Sequence, residues 1–448
     1  MRIVKIVLTI IVALLAACLL WLITMPPELL KVGSGYSAKM VCSNVFLANR
    51  DPQEVLAVDV QAPGNPLLRL MRVSVDHEAA RAEAALFGFI APSVAIYRDD
   101  VGCAVTQDVA AKGKKFQSPP IVAPEQGPEE VLFPEGTKVD ADQRITPVLA
   151  DDTLTGSGMR AVVVAQNGRI LGERYGEGFS AATPLIGWSM TKTVTAAIIA
   201  KLAGEGRLAY TDSNLFPQWA NDERREITLA QLLAMESGLG FNEDYGTVAD
   251  VTRMLFLEPD MAQFAVDTPL EASPGTKFSY SSGTAMLLSK IWMERVGDHD
   301  RALAYPRQAL FAPLGMQSAV METDEAGTFA GSSYLYATAR DWTRFGMLLA
   351  QDGVWKGNRL LPEGTVTMMG KASAQSGGRY SQMQTWLKLY NRDAAGLPAD
   401  MFLLSGHDGQ TVAVIPSLDM VIVRLGLTPS WSGYNVLELV AAAVKAVK

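Results

Sequence analysis

Gly187-Trp188-Ser189-Met190-Thr191-Lys192-Thr193 stands at a junction between a loop and a helix. Ahead of it, residues 182–188 contain Pro184 and Gly187 and read as a loop. Behind it, residues 191–202 are rich in Ala, Ile and Val, and the run breaks only at Gly204 and Gly206, so they read as a helix. A serine in the first helical turn can cap the helix, and its Oγ lies near unpaired N–H groups that favour negative charge. Residues three apart share one helical face, so the Lys192 amine can sit beside the Ser189 oxygen. A serine hydroxyl is a poor nucleophile until a neighbour takes its proton. A lysine does so only when burial or nearby cations depress its pKa. Ser-x-x-Lys by itself is commonly a capping serine and a solvated lysine, so the reading depends on what accompanies it.

Working outward, residues 161–165 and 169–175 flank Asn167-Gly168, a hairpin signal. On the other side, residues 228–235 read as a short helix broken at Ser237-Gly238-Leu239-Gly240, and residues 248–257 as another ended by Pro259. Pro274-Gly275 is a turn, and residues 284–296 and 338–351 are amphipathic helices. Residues 411–415 and 420–425 are β-rich runs, and residues 434–447 read as a closing helix. Strands at both ends with helices between them imply an α+β domain over residues 151–448. Its antiparallel sheet is built from distant segments and flanked by helices.

The 448 residues carry a net charge of −8 and no basic run, which argues against a nucleic-acid partner. Residues 1–25 differ from the rest. Arg2 and Lys5 precede a nearly unbroken apolar run closed by Pro26-Pro27. The run is long enough to cross a bilayer, and the flanking charge predicts a signal anchor with the remainder on the non-cytoplasmic, periplasmic side. A cleaved signal peptide and a lipoprotein site at Cys18 are competing readings. Residues 37–110 contain short strand-like runs, among them residues 56–60, and read as a small β-rich module. Cys42 and Cys103 lie near its two ends, and in an exported compartment they are expected to pair, closing a loop worth about 3–4 kcal/mol. Residues 111–150, with six prolines, read as a linker. His77 and His299 lack the spacing of metal ligands, so neither metal nor cofactor is expected. Ser189 is not in a Gly-x-Ser-x-Gly elbow, which argues against an α/β-hydrolase.

Two further motifs follow Ser189. Tyr280-Ser281-Ser282 comes about ninety residues on, just after Pro274-Gly275-Thr276-Lys277-Phe278. Ser405-Gly406-His407-Asp408-Gly409-Gln410 leads into the run from Thr411. In this order Ser-x-x-Lys, Tyr-x-Ser and His-x-Gly resemble the serine β-lactamase-related superfamily over roughly residues 155–448. That group includes class C β-lactamases, D-alanyl-D-alanine peptidases, related esterases and 6-aminohexanoate-dimer hydrolases. The chain departs from class C β-lactamases, which have Tyr-x-Asn and Lys-Thr-Gly. Ser282 and His407-Asp408-Gly409 stand in those places and are similar to the 6-aminohexanoate-dimer hydrolases and some carboxylesterases.

The resemblance implies a serine hydrolase acting on small amides or esters. Ser189 is the implied nucleophile, with Lys192 and Tyr280 as the proton-handling pair. Backbone N–H groups of Ser189 and Gln410 are the implied oxyanion donors, with Ser282, His407 and Gly409 orienting substrate. Tyr245 is the candidate for a second tyrosine that amide-hydrolysing relatives carry on a loop. A D-amino-acid peptidase or β-lactamase is the alternative within enzymes. A non-catalytic envelope-sensing protein that keeps the fold is the alternative outside them.

Overall fold

The computed structural model describes residues 2–448 except 63–64, 109, 112–115, 117–127 and 390–393. The chain forms two compact units. The first comprises Met1–Arg98, Gly102–Lys115 and Asp244–Pro259; the second comprises Asp99–Val101, Phe116–Glu243 and Asp260–Lys448.

In the first unit, helix α1 (Arg2–Thr24) has no buried residue, and Pro26-Pro27 separates it from α2 (Glu28–Ala48). Helix α2 packs on a four-stranded antiparallel sheet of β1 (Met71–Asp76), β2 (Arg81–Leu86), β3 (Ile90–Arg98) and β4 (Gly102–Thr106), in that order. Cys42 on α2 is joined to Cys103 on β4 by a disulfide.

Two stretches of this unit differ from their sequence reading. Residues 37–48, placed at the start of a β-rich module, are the second half of α2. Ser37, Ser43, Asn44 and the β-branched Val41 and Val45 weaken the helical signal there, but burial outweighs propensity. The polar side chains turn back on the helix, with Ser37 Oγ donating to Gly33 O at 2.7 Å and Asn44 Nδ2 to Met40 O at 2.9 Å. Residues 56–60, read as a strand, lie in the helical turn Leu56–Gln61. Asp51 caps the preceding turn through the N–H groups of Gln53 and Glu54, and Pro52 occupies its first position, so the chain enters residue 56 already helical. A buried Arg50–Asp59 pair at 2.8 Å then ties the two turns together.

The second unit is built on a five-stranded antiparallel sheet. Its strands are β5 (Met159–Gln166), β6 (Arg169–Tyr175), β7 (Phe402–Ser405), β8 (Thr411–Ile415) and β9 (Met420–Gly426), in the order β7-β8-β9-β5-β6. The earliest and latest strands of this unit thus meet at the β9–β5 pairing, where Val421 lies opposite Ala165. All five residues of β8 and all seven of β9 are buried, as expected for central strands covered on both faces. One face is covered by the closing helix Val436–Val447. Val440 and Val444 pack there with Val162, Val164, Ala413 and Ile422. Ile145, Val148 and Leu149 join this core through the short helix Thr146–Ala150, so the end of the proline-rich stretch is packed rather than an open linker. Of that stretch, residues 112–115 and 117–127 lie outside the described residues. The amphipathic helix Ala339–Ala350, capped by Thr338 through the Asp341 N–H, also packs on β8 and β9. The remaining helices, including Thr191–Gly204 and Ser282–Val296, form the helical part of the α+β domain.

Candidate active site

Ser189 lies in a single tight turn, Trp188–Met190, that runs straight into the helix Thr191–Gly204. It does not cap that helix. Its Oγ instead accepts from Lys192 Nζ at 2.9 Å, the one-turn neighbour expected from the three-residue spacing. Trp188 carries φ of +47°, a left-handed conformation costing a non-glycine residue about 1–2 kcal/mol. Trp188 is 3% exposed, and its ring lies 6.1 Å from Tyr334 and 5.7 Å from His407. Packing thus holds strain at the residue before Ser189, as at many functional sites.

The Lys192 ammonium position is enclosed. Nζ also donates to Ser282 Oγ and to the carbonyl of Ser332, each at 3.0 Å. Burial pushes its pKa down to about 8, with the Glu243 carboxylate opposing the shift. Glu243 accepts from the Ser282 N–H at 2.7 Å and from Ser282 Oγ at 2.5 Å. Ser282 is therefore a bridge between the amine and a carboxylate.

Tyr280 and Ser282 reach this point because Ser281 caps the helix Ser282–Val296, accepting from the Thr284 N–H at 3.0 Å. The tyrosine leaves extended chain while Ser282 opens the helix. The Tyr280 hydroxyl is hydrogen-bonded to Ser189 and to the Trp386 indole, and Lys192 Nζ lies 4.9 Å from its ring centre. Desolvation, then repulsion by Glu243, raises the Tyr280 pKa well above that of a free phenol. Tyr380 and Trp386 wall its ring at 5.7 and 5.1 Å. Trp386 is brought there by pairing with the sheet edge, exchanging both backbone hydrogen bonds with Leu403 at 2.8 Å.

The third motif arrives at the end of β7. A Cβ on Gly406 would lie 2.2 Å from the Gly187 carbonyl oxygen, so only glycine allows this strand end to touch the serine loop. His407 stands edge-on to Trp188, with Nε2 3.5 Å from Asp408 Oδ1. The Gln410 carbonyl accepts from Gly406, and its buried side chain is bound at both ends, Nε2 to the Gly426 carbonyl and Oε1 to the Gly426 N–H. Gly409 has φ of +85°, and its carbonyl accepts from the fully buried Arg424 at 3.2 Å. Arg424 also donates to the carbonyls of Thr155 and Ser157, pinning the loop from beneath.

The structure therefore brings together Ser189, Lys192, Tyr280, Ser282, His407, Gly409 and Gln410. Tyr245 belongs to the segment Asp244–Pro259, which is part of the first unit. Glu243, Trp386, Tyr380 and Arg424 were not anticipated from the sequence. For Glu243 no spacing signal exists, because it precedes its partner Ser282 by 39 residues of intervening helix and loop. Among the described residues no cluster of His, Cys, Asp and Glu suited to a metal ion occurs.

The arrangement is suited to removing a proton from a serine oxygen and returning one to a leaving group without a metal ligand set. Residues 151–442 match the family model described as Beta-lactamase. The chain is 26% identical over 346 residues to the 6-aminohexanoate-dimer hydrolase of Paenarthrobacter ureafaciens, covering 69% of this chain and 82% of that one. Among solved structures it resembles a penicillin-binding protein homologue from Caulobacter crescentus, at 18% identity and a TM-score of 0.55 over 69% of this chain and 99% of that one. It also resembles a family VIII carboxylesterase, at 15% identity and a TM-score of 0.54 over 68% of this chain and 98% of that one. These two structural likenesses concern the fold alone.

Proposed function

The chain belongs to the beta-lactamase family, and from that premise we propose that it is a serine hydrolase cleaving small amides or esters through an acyl-enzyme on Ser189. The observation that carries the proposal is the placement of the Lys192 amine. Ser282 Oγ and the Ser332 carbonyl take two of its N–H bonds. In the free amine the remaining lone pair then faces Ser189 Oγ, 2.9 Å away. A pKa of about 8 leaves an appreciable fraction of that amine free near neutral pH.

Lys192 takes the Ser189 proton as Oγ attacks the carbonyl carbon. Tyr280, whose environment disfavours the phenolate, stays protonated at rest and donates to the leaving nitrogen or oxygen as the carbon–heteroatom bond breaks. The Lys192 proton then passes to the Tyr280 phenolate, restoring both groups while the acyl group stays on Ser189. A water hydrolyses the ester on Ser189 by the same steps in reverse. The N–H groups of Ser189 and Gln410 serve as oxyanion donors. His407 and Ser282 orient the substrate and the amine.

His407-Asp408 stands where relatives acting on anionic β-lactams carry a lysine, which favours neutral acyl groups over carboxylate-bearing ones. Linear amides are the first to try, because the 26% identical relative is named for an amide dimer. We place the hydrolase on the non-cytoplasmic side, held by α1. The helix spans 23 residues, about 34 Å, is apolar apart from Arg2, Lys5, Thr9 and Thr24, and carries both cations at its N-terminal, cytoplasmic end. The Cys42–Cys103 disulfide agrees with an oxidising compartment.

Two measurements test the reading. A fluorophosphonate probe is expected to label the protein and to stop labelling Ser189→Ala. Well-folded wild-type protein that takes no label would favour a non-catalytic sensor. Short-chain p-nitrophenyl esters and linear amides are expected to turn over faster than penicillins, and efficient β-lactam turnover with negligible esterase activity would reverse that order.

A further inference from the structure

The first unit exposes two phenylalanines at one hairpin tip. Phe87 and Phe89 flank Gly88 in the β2–β3 turn and are 51% and 53% exposed. Leu70 is 38% exposed and donates no cover to them; its carbonyl accepts from the Phe87 N–H at 3.0 Å, which sets it beside the tip. Isolated exposed apolar residues need no explanation, but two on a turn that polar residues would ordinarily form, with a third beside it, do.

The location of this tip is informative. Leu22, in the last turn of α1, packs on the small core formed by Met71, Leu86 and Ile90. Leu86 and Ile90 are the strand residues that bracket the tip. The hairpin tip therefore lies at the level where α1 ends. Two cations share that level. Arg72 is exposed, and its Cβ lies 3.8 Å from where a Cβ on Gly88 would be, while Arg69 is exposed one residue before Leu70. The nearby acid Glu28 is paired with Arg253 at 3.1 Å. The opposite hairpin, the β1–β2 turn with His77 and Glu78, is exposed and polar, about 20 Å away along six-residue strands.

We propose that Phe87, Phe89 and Leu70 insert into the headgroup region of the bilayer that α1 crosses, with Arg69 and Arg72 on lipid phosphates. This rests on the reading of α1 as a membrane anchor and adds to it a second contact that fixes how the first unit faces the lipid. Aromatic side chains favour this interface, and arginines beside them add attraction to anionic headgroups. The occupant is lipid rather than a second protein because the patch continues from an apolar helix exposed at every described residue but Leu22, and ends in cations.

The test uses the full chain with Cys18→Ala, reconstituted in phosphatidylcholine–phosphatidylglycerol vesicles. A single cysteine is introduced as Phe89→Cys, Glu78→Cys or Leu14→Cys and labelled with an environment-sensitive fluorophore. Brominated lipid is expected to quench the labels at positions 89 and 14 by at least about twofold and to leave position 78 almost unchanged. Quenching at 14 but not at 89 overturns the proposal while the anchor reading stands. No quenching at 14 overturns the anchor reading, and the proposal with it. A label at 89 that is shielded from aqueous iodide in detergent yet unquenched by brominated lipid assigns the patch to a second copy of the chain.

Discussion

Two buried lysines of this molecule each stand beside a serine, one in each unit. Lys39 Nζ donates to Ser43 Oγ at 2.8 Å, and Lys192 Nζ donates to Ser189 Oγ at 2.9 Å. Both pairs lie within one helical turn, and both lysines are 1% exposed. The pairs differ in their surroundings. Ser43 is fully buried, so no substrate carbonyl can approach it. Ser189 is partly open, follows a residue held at positive φ, and shares its oxygen with Tyr280. Lys192 is further tied through Ser282 to Glu243. A serine–lysine contact thus does not by itself distinguish the two sites; what sets the Ser189 pair apart is the second hydroxyl, the phenol and the access.

The largest expected effect separates the two lysines directly. Lys192→Ala should lower kcat for ester hydrolysis by on the order of 10³-fold or more, within roughly tenfold of Ser189→Ala, because members of one catalytic unit are strongly non-additive. Folding is checked by thermal melts. A folded Lys192→Ala enzyme retaining more than about a tenth of the wild-type rate would remove the proposed distinction between the pairs.

Tyr280→Phe comes next. It keeps the ring between Tyr380 and Trp386 but deletes the hydroxyl on Ser189. A loss of about 10²–10³-fold is expected, as for a general acid. The loss should be smaller for esters with good leaving groups such as p-nitrophenol than for anilides. An equal loss on both would argue that the hydroxyl only holds Ser189 in place.

How much of this was legible depended on the distance over which residues cooperate. Ser189 and Lys192 lie on one turn of one helix, and Tyr280 and Ser282 flank one cap, so local periodicity reaches them. The sheet was legible as well, since β8 and β9 are rich in Val, Ile and Thr and Asn167-Gly168 marks the first hairpin. Glu243 and Trp386 were not, because each is positioned by a tertiary contact: one by accepting from Ser282, the other by pairing with Leu403. The left-handed Trp188 leaves no trace in residue type at all. In the first unit the reading failed where poor helix formers such as Ser37, Val41, Ser43, Asn44 and Val45 sit inside α2, and where Asp51 and Pro52 start a turn that overrides a strand-like run.

A smaller effect concerns Glu243. If the free Lys192 amine is the base, kcat/KM should rise with pH through about 8, since the protonated amine cannot accept the Ser189 proton. The Glu243 carboxylate holds that pKa up against desolvation. Glu243→Gln removes the opposing charge, so the rising limb should move to lower pH. The plateau should fall by about tenfold as Ser282 loses a charged acceptor. A lowered plateau with an unmoved limb would assign Glu243 to positioning Ser282 alone.

The smallest expected effect on catalysis is at the other lysine. Lys39→Met keeps most of the side-chain volume and removes one hydrogen bond to Ser43 Oγ. Losing a buried hydrogen bond costs roughly 0.5–1.5 kcal/mol, enough to lower Tm by a few degrees. The rate per folded molecule, counted by fluorophosphonate labelling, should stay within about twofold of wild type, because Ser43 is sealed from solvent and takes no part in acyl transfer. Loss of turnover with unchanged melting would overturn the comparison from the other side. It would show that the buried pair on α2 serves the reaction and not the fold, and that burial of the serine is no guide to which of two serine–lysine contacts is catalytic.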